Sequence, residues 1–181
     1  MSKDGVLKTL DSEDGPHVFP TSTKGRLNVN ALNDDALVRA AMEGRAFIWS
    51  TNHTAGMNEH VLYLRNISTK DVLHIVSVSA GGSKTSIVAL YSVDANGSGA
   101  DSVEFNMNFS GNAAQAVHLQ NDVGEVGALE LIGNTIISAY AASTFKLNRA
   151  LILGQNDALT VFFEDGGPDT VANITGYFEP I

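Results

Sequence analysis

Glu59-His-Val-Leu-Tyr-Leu-Arg-Asn66, Val72-Leu-His-Ile-Val-Ser-Val-Ser79 and Thr85-Ser-Ile-Val-Ala-Leu-Tyr-Ser-Val93 are three runs in which branched, aliphatic and aromatic residues recur with a period of two. That period marks strands. The runs predict β-strands over His60–Asn66, Val72–Ser79 and Thr85–Val93. In the first, Val61, Tyr63 and Arg65 alternate with Leu62 and Leu64. In the second, Leu73 and Ile75 alternate with His74, Val76 and Val78. In the third, Ile87, Ala89 and Tyr91 oppose Val88 and Leu90. The links Ile67-Ser-Thr-Lys-Asp71 and Ala80-Gly-Gly-Ser-Lys84 are short and rich in turn formers. They predict that neighbouring strands pair antiparallel, as a meander that seeds a sheet.

Towards the N-terminus, Ala46–Thr51 reads as a strand carrying Trp49, the only tryptophan. Asn33–Glu43 is the one convincing helix. Asn33 suits the N-cap, Asp34 and Asp35 suit the positive end, Leu32 and Leu37 form a hydrophobic staple, and Gly44 stops it. Residues 1–30 are polar and broken by Gly15-Pro16 and Phe19-Pro20. They read as an extended arm, with a neighbouring subunit as the expected holder, and residues 31–181 read as the folded domain.

Towards the C-terminus, Ser102–Phe109 alternates Val103, Phe105, Met107 and Phe109 with Glu104, Asn106 and Asn108. This predicts a half-buried strand with the apolar set in the core. Ala113–Gln120 is ambiguous between strand and short helix. Leu129–Ile132, Asn134–Ala142, Phe145–Leu153, Ala158–Glu164 and Val171–Glu179 supply further strands. Turn clusters recur roughly every 8–12 residues, which indicates an all-β fold. The expectation is a two-sheet antiparallel β-sandwich, jelly-roll-like, with one short N-terminal helix and an extended N-terminal arm.

Composition narrows the function. Twenty acidic residues against eleven basic give a net charge of −9, which repels nucleic acid and anionic membrane. There is no cysteine, so thiol catalysis, zinc thiolates and disulfides are excluded. No apolar run approaches the roughly 20 residues of a membrane span. The first residues lack a basic-then-apolar secretion signal. Five Asn-x-Ser/Thr sequons, at Asn52, Asn66, Asn96, Asn108 and Asn173, read as features of an Asn-rich surface rather than glycan sites.

Candidate chemistry is sparse. Asp94-x-Asn96-x-Ser98-Gly99 has the oxygen spacing that opens a calcium loop, but the twelfth position is Phe105 instead of a bidentate glutamate. Asp94, Asn96 and Ser98 are therefore a weak calcium candidate, and an ordinary inter-strand loop is favoured. Gly81-Gly-Ser-Lys-Thr85 lacks the glycine spacing of a phosphate loop and joins two strands. His17, His53, His60, His74 and His118 form no His-x-His or His-Glu-x-x-His pair. His60 and His74 lie on adjacent expected strands, where facing each other is one option, and a structural or surface role is favoured for both. Ser98 lacks the Gly-x-Ser-x-Gly elbow. Glu125 and Glu130 have no supporting pattern. The expectation is a protein that is not an enzyme and takes no cofactor.

Gly44-Arg-Ala-Phe-Ile-Trp-Ser50 after the helix, Leu62-Tyr-Leu-Arg-Asn66, Leu73-His-Ile-Val76, Leu151-Ile-Leu-Gly-Gln-Asn-Asp-Ala-Leu159 and the terminal Val171-Ala-Asn-Ile-Thr-Gly-Tyr-Phe-Glu179 form a set. Over most of residues 36–179 this set resembles small jelly-roll virion structural proteins of tailed bacteriophages, of the capsid decoration, head-fibre or adaptor kind. The resemblance implies a homotrimer on the capsid surface, bound to the major capsid protein or another virion protein and assembled in the host bacterial cytoplasm. Val6, Leu7, Leu10, Val18, Phe19 and Leu27 of the arm, with Leu37 of the helix, are then the candidate capsid or subunit contacts. The alternative is a carbohydrate- or receptor-binding β-sandwich. That role needs an exposed aromatic platform, for which Trp49, Tyr91 and Tyr140 are the candidates.

Overall fold

The structure is a computed structural model that describes residues 36–94, 96–109, 112–124, 129–145, 147 and 151–181. The arm, with Val6, Leu7, Leu10, Val18, Phe19 and Leu27, and the expected cap residues Asn33, Asp34 and Asp35 lie outside the described residues. The chain divides into the units Met1–Arg39 and Ala40–Ile181.

Helix α1, Ala36–Met42, ends as the sequence predicts. Gly44 takes φ 74°. Its amide donates to the Ala41 carbonyl at 3.0 Å, and the Arg45 amide donates to Ala40 at 2.7 Å. This two-bond closure around a left-handed glycine satisfies the last helical carbonyls.

Twelve strands follow among the described residues: β1 Ala46–His53, β2 Met57–Asn66, β3 Asp71–Gly82, β4 Ser86–Val93, β5 Ser98–Asp101, β6 Val103–Asn106, β7 Ala116–Gly124, β8 Leu129–Ile137, β9 Ala141–Thr144, β10 Leu151–Leu153, β11 Ala158–Asp165 and β12 Thr170–Pro180. Sheet I runs β10-β3-β12-β1-β6, with β9 also on β3. Sheet II runs β5-β7-β2-β11-β4-β8. Every pairing is antiparallel. The chain is an all-β two-sheet sandwich.

The expected meander does not form. β2 and β4 lie in sheet II on either side of β11, and β3 lies in sheet I. The partners are nested: β1 with β12, β2 with β11, β3 with β9 and β10, β4 with β8, alternating between the two sheets. One long antiparallel ribbon is folded over on itself, which is the strand path of a jelly roll.

The polar links are inter-sheet arches and not hairpin turns. The Asn66 Nδ2 donates to the carbonyls of Asp71 (3.0 Å) and Leu153 (2.9 Å), and its Oδ1 accepts from the Ser68 amide at 2.8 Å. Ser68 Oγ in turn accepts from the Asp71 amide at 3.1 Å. Side chains here satisfy backbone groups that a hairpin would pair. Asn66 is fully buried, so its sequon is not open to a glycan.

The core lies between the sheets. Phe47, Trp49, Leu73, Ile75, Ile174 and Phe178 come from sheet I, and Leu62, Leu64, Leu90, Leu159, Val161 and Phe163 from sheet II. Each such side chain contributes about 1.5–3 kcal/mol by leaving water. A smaller cluster of Tyr63, Val93, Leu119, Val123 and Ala158 forms apart from this core.

Strand β6 corrects a second expectation. Val103, Phe105 and Phe109 are 57, 50 and 80% exposed, whereas Glu104 is mostly buried. The alternation is present but the strand is turned over, and a period of two does not say which set faces in.

Asn66→Ala strands the Asp71 and Leu153 carbonyls and the Ser68 amide together. The expected loss is about 3 kcal/mol. In a thermal melt followed by circular dichroism this is a fall of roughly 6–12 °C, and an unchanged melt refutes this account of the arch.

Candidate functional site

The reversal of β6 is set by Trp49. In the β1–β6 register Trp49 stands opposite Glu104. Trp49 is fully buried, and its Nε1 donates to Glu104 Oε2 at 3.2 Å. Glu104 Oε1 accepts from the Ala114 amide at 2.9 Å, and Oε2 lies 3.3 Å from His118 Nε2 on β7. His118 Nδ1 meets Ser102 Oγ at 3.1 Å. The four side chains join β1 and β6 of sheet I to β7 of sheet II.

Ser102, His118 and Glu104 are the residue types of a hydrolase relay, and the sequence reading missed their convergence because no local spacing announces it. Their setting is that of a strut. Ser102 is 7% exposed, and Glu104 is already committed to the indole and the Ala114 amide. A satisfied buried network of this kind rigidifies its surroundings.

With Glu104 turned in, the apolar side of β6 faces out. Phe105 and Phe109 meet edge to face, centroids 5.5 Å apart and planes at 86°. Phe109 sits at φ 57°, a left-handed conformation unusual for a bulky residue. Asn106 holds it there. The Phe109 amide donates to the Asn106 carbonyl at 3.1 Å, and the Asn106 Oδ1 accepts from the Asn108 amide at 3.1 Å. Asn106 Nδ2 donates to the carbonyls of Gly44 and Asn112, each at 3.0 Å. Ile48 lies opposite Phe105 in register, half-buried.

Two open clefts lie elsewhere among the described residues. One, about 410 Å³, is bordered by Asp94, Glu130, Asp157 and Ile152. The other, about 400 Å³, lies where β9 meets β3, beside Tyr140, Asp169 and Asn173.

The remaining sequence candidates are dispersed. Asp94 and Asn96 are exposed in the β4–β5 link and Ser98 opens β5, while Phe105 belongs to the other sheet. Among the described residues no group of three or more His, Asp or Glu could hold a metal ion. Leu37 lies in α1, half-buried. His60 and His74 do not face each other, since β2 and β3 are in different sheets. His60 packs on Phe162 and Tyr91 and meets Thr160 Oγ1 at 3.3 Å. His74 stacks on Tyr177, centroids 4.8 Å apart, with Nε2 2.7 Å from Glu179 Oε2 but off the hydrogen-bonding line. Of the three platform candidates, Trp49 is buried, Tyr91 stands edge-on to Phe162, and Tyr140 is 87% exposed. No described helix is long and apolar enough to cross a membrane.

The β4–β5 link covers Tyr63. A Cβ at Gly97 would lie 2.8 Å from Val123 Cγ1 and 3.2 Å from the Tyr63 ring, so only glycine fits without a shift. Burial pushes the Tyr63 phenol above its ordinary value, opposed by a backbone hydrogen bond from Gly97 and by the Arg65 charge.

No family model, curated protein or solved structure matches the chain.

Two outcomes follow from this geometry. Glu104→Ala leaves the Trp49 N–H and the Ala114 amide without an acceptor and lowers stability by about 2 kcal/mol in a denaturant titration; an unaltered midpoint denies the strut. The raised Tyr63 pKa contributes stability that is whole below the unfolded value of 10.0 and declines as pH rises through the folded value. Tyr63→Phe therefore flattens the alkaline limb of stability against pH, and parallel limbs for the two proteins contradict the assignment.

Proposed function

We propose that the chain is a non-enzymatic structural protein of a tailed-bacteriophage virion. Its role is capsid decoration on the head surface, as a homo-oligomer, with residues 1–30 as the arm towards the major capsid protein or another virion protein. The observation that carries the assembly role is the Phe105–Phe109 pair. It is a large aromatic surface held out from an edge strand, flanked by Val103 and fixed by Asn106. An isolated monomer gains nothing by presenting it: exposed aromatic surface on a sheet edge invites association. Interfaces draw much of their binding free energy from a few such anchors, especially where they are pre-organised. The virion assignment rests on the sequence resemblance, and the jelly-roll path is the fold that resemblance implies. The acidic balance suits a solvent-facing layer and disfavours nucleic acid.

Light scattering on a sizing column tests the reading. Three chains of 19.1 kDa give about 57 kDa, the mass expected of the wild type. Phe105→Ser with Phe109→Ser shifts the mass towards 19.1 kDa without changing the circular dichroism. The wild-type oligomer also co-sediments with heads of the source phage. A wild type that runs as a monomer, or that stays in the supernatant, overturns the proposal.

A further inference from the structure

Where β9 joins β3, sheet I is built of residues too small to fill the space beside them. Gly81 and Gly82 pair with Ala142 and Ala141, and Ala80 pairs with Ser143. The closeness of the strands demands it: a Cβ at Gly81 would stand 3.0 Å from the Ala141 carbonyl oxygen and 3.3 Å from Ala142 Cα. The result is a cleft of about 400 Å³. That volume lies within the range of roughly 300–1,000 Å³ usual for small-molecule sites.

Three side chains bordering this cleft carry chemistry. Tyr140 is 87% exposed, at φ 61°, and its backbone amide is tied to the Gly82 carbonyl at 2.8 Å. Asp169 is exposed at φ 63°, and its carboxylate makes no hydrogen bond or ion pair with the described residues. The Asn173 amide is oriented by Ser50 Oγ at 2.6 Å and Ser79 Oγ at 3.4 Å. An amide has two N–H groups and two acceptor lone pairs, so Asn173 keeps hydrogen-bonding capacity after these two contacts. An open aromatic face, a free carboxylate and a fixed amide thus share one cleft with small, mostly apolar walls.

We propose that this cleft binds a neutral hexopyranose. The apolar C–H face of the sugar ring rests on Tyr140, vicinal hydroxyls donate to Asp169, and a ring hydroxyl accepts from the Asn173 amide. The ligand class follows from the mix of groups. A purely apolar ligand strips water from Asp169 and returns no partner, which is costly. An anionic sugar meets the Asp169 charge and a net charge of −9. A neutral sugar has one apolar face and a hydroxyl rim, and it satisfies both sets. The cleft is open, so the affinity is weak, with Kd on the order of 1 mM. The site is independent of the Phe105–Phe109 pair, which lies on and just after β6 at the end of the sheet, beyond β12 and β1 in strand order.

Saturation-transfer NMR on the full-length chain tests this, with the methyl glycosides of glucose, galactose and mannose as probes. At least one of them is expected to receive saturation. Tyr140→Ala is expected to weaken binding at least tenfold, and Asp169→Asn to weaken it severalfold. Both residues are exposed, so thermal melts matching the wild type are expected and separate lost binding from lost folding. Phe105→Ser leaves the signal intact, which separates this site from the assembly surface. No transfer to any of the three glycosides overturns the proposal. So does transfer that survives Tyr140→Ala, or a preference for choline or N-acetylneuraminic acid over all three.

Discussion

An indole N–H buried between two sheets needs an acceptor, and much of the architecture at one side of this sandwich follows from that need. Trp49 is fully buried and stacks on Phe47, centroids 5.8 Å apart. On the neighbouring strand, Gly176 packs against it: a Cβ there would meet the ring in ordinary contact at 3.4 Å, but it would lie 2.6 Å from the His74 carbonyl oxygen, so the close strand approach requires glycine. The acceptor is Glu104. An unpaired buried N–H costs about 1–3 kcal/mol, as much as a medium-sized side chain gains by burial. Turning β6 to aim Glu104 inward therefore competes on even terms with burying Val103 and Phe105. Once Glu104 is inside, His118 and the Ala114 amide complete its shell, and Val103 and Phe105 of β6 have only the outside left. The exposed aromatic pair of Phe105 and Phe109 is the other half of a hydrogen-bonding solution.

The same logic shapes the arches. A jelly-roll ribbon must cross between sheets at every turn of its path, and each crossing exposes backbone groups that no ladder partner satisfies. Asn66 resolves the crossing after β2 with side-chain bonds to the Asp71 and Leu153 carbonyls and the Ser68 amide, and the Ser68 hydroxyl accepts from the Asp71 amide. At the crossing after β3, Ser83 bonds the Pro168 carbonyl and Lys84 reaches Asp165 at 3.2 Å. Asn66 is fully buried for this reason, and a sequon there is a by-product of turn chemistry.

Strand existence was legible from local pattern. His60–Asn66, Val72–Ser79 and Thr85–Val93 lie within β2, β3 and β4 or one residue off an end, and Gly44 stops α1. Pairing was not legible, because a short polar link of Ser, Asn, Asp and Gly serves a hairpin and an inter-sheet arch equally well. The facing of β6 was hidden for a different reason. Its alternation is symmetrical, and only the Trp49 N–H, more than fifty positions away in the chain, breaks the symmetry. The Ser102, Glu104 and His118 cluster was invisible on the same ground. Tyr140 was legible as a candidate platform, while its company of Asp169 and Asn173 depended on β3 lying between β9 and β12.

The position of β12 bears on how the chain is made. β12 lies in the interior of sheet I, between β3 and β1, and its register joins Ala46 to Tyr177. A nascent chain emerging N-terminus first holds β1 and β3 ready but cannot join them until β12 leaves the ribosome. Until then the edges of both strands and their apolar faces stay open to wrong partners. Pairings this distant in sequence also form slowly. Sheet I is thus completed only after β12 has been made, so the molecule depends on protection during synthesis more than a fold built from sequential hairpins would.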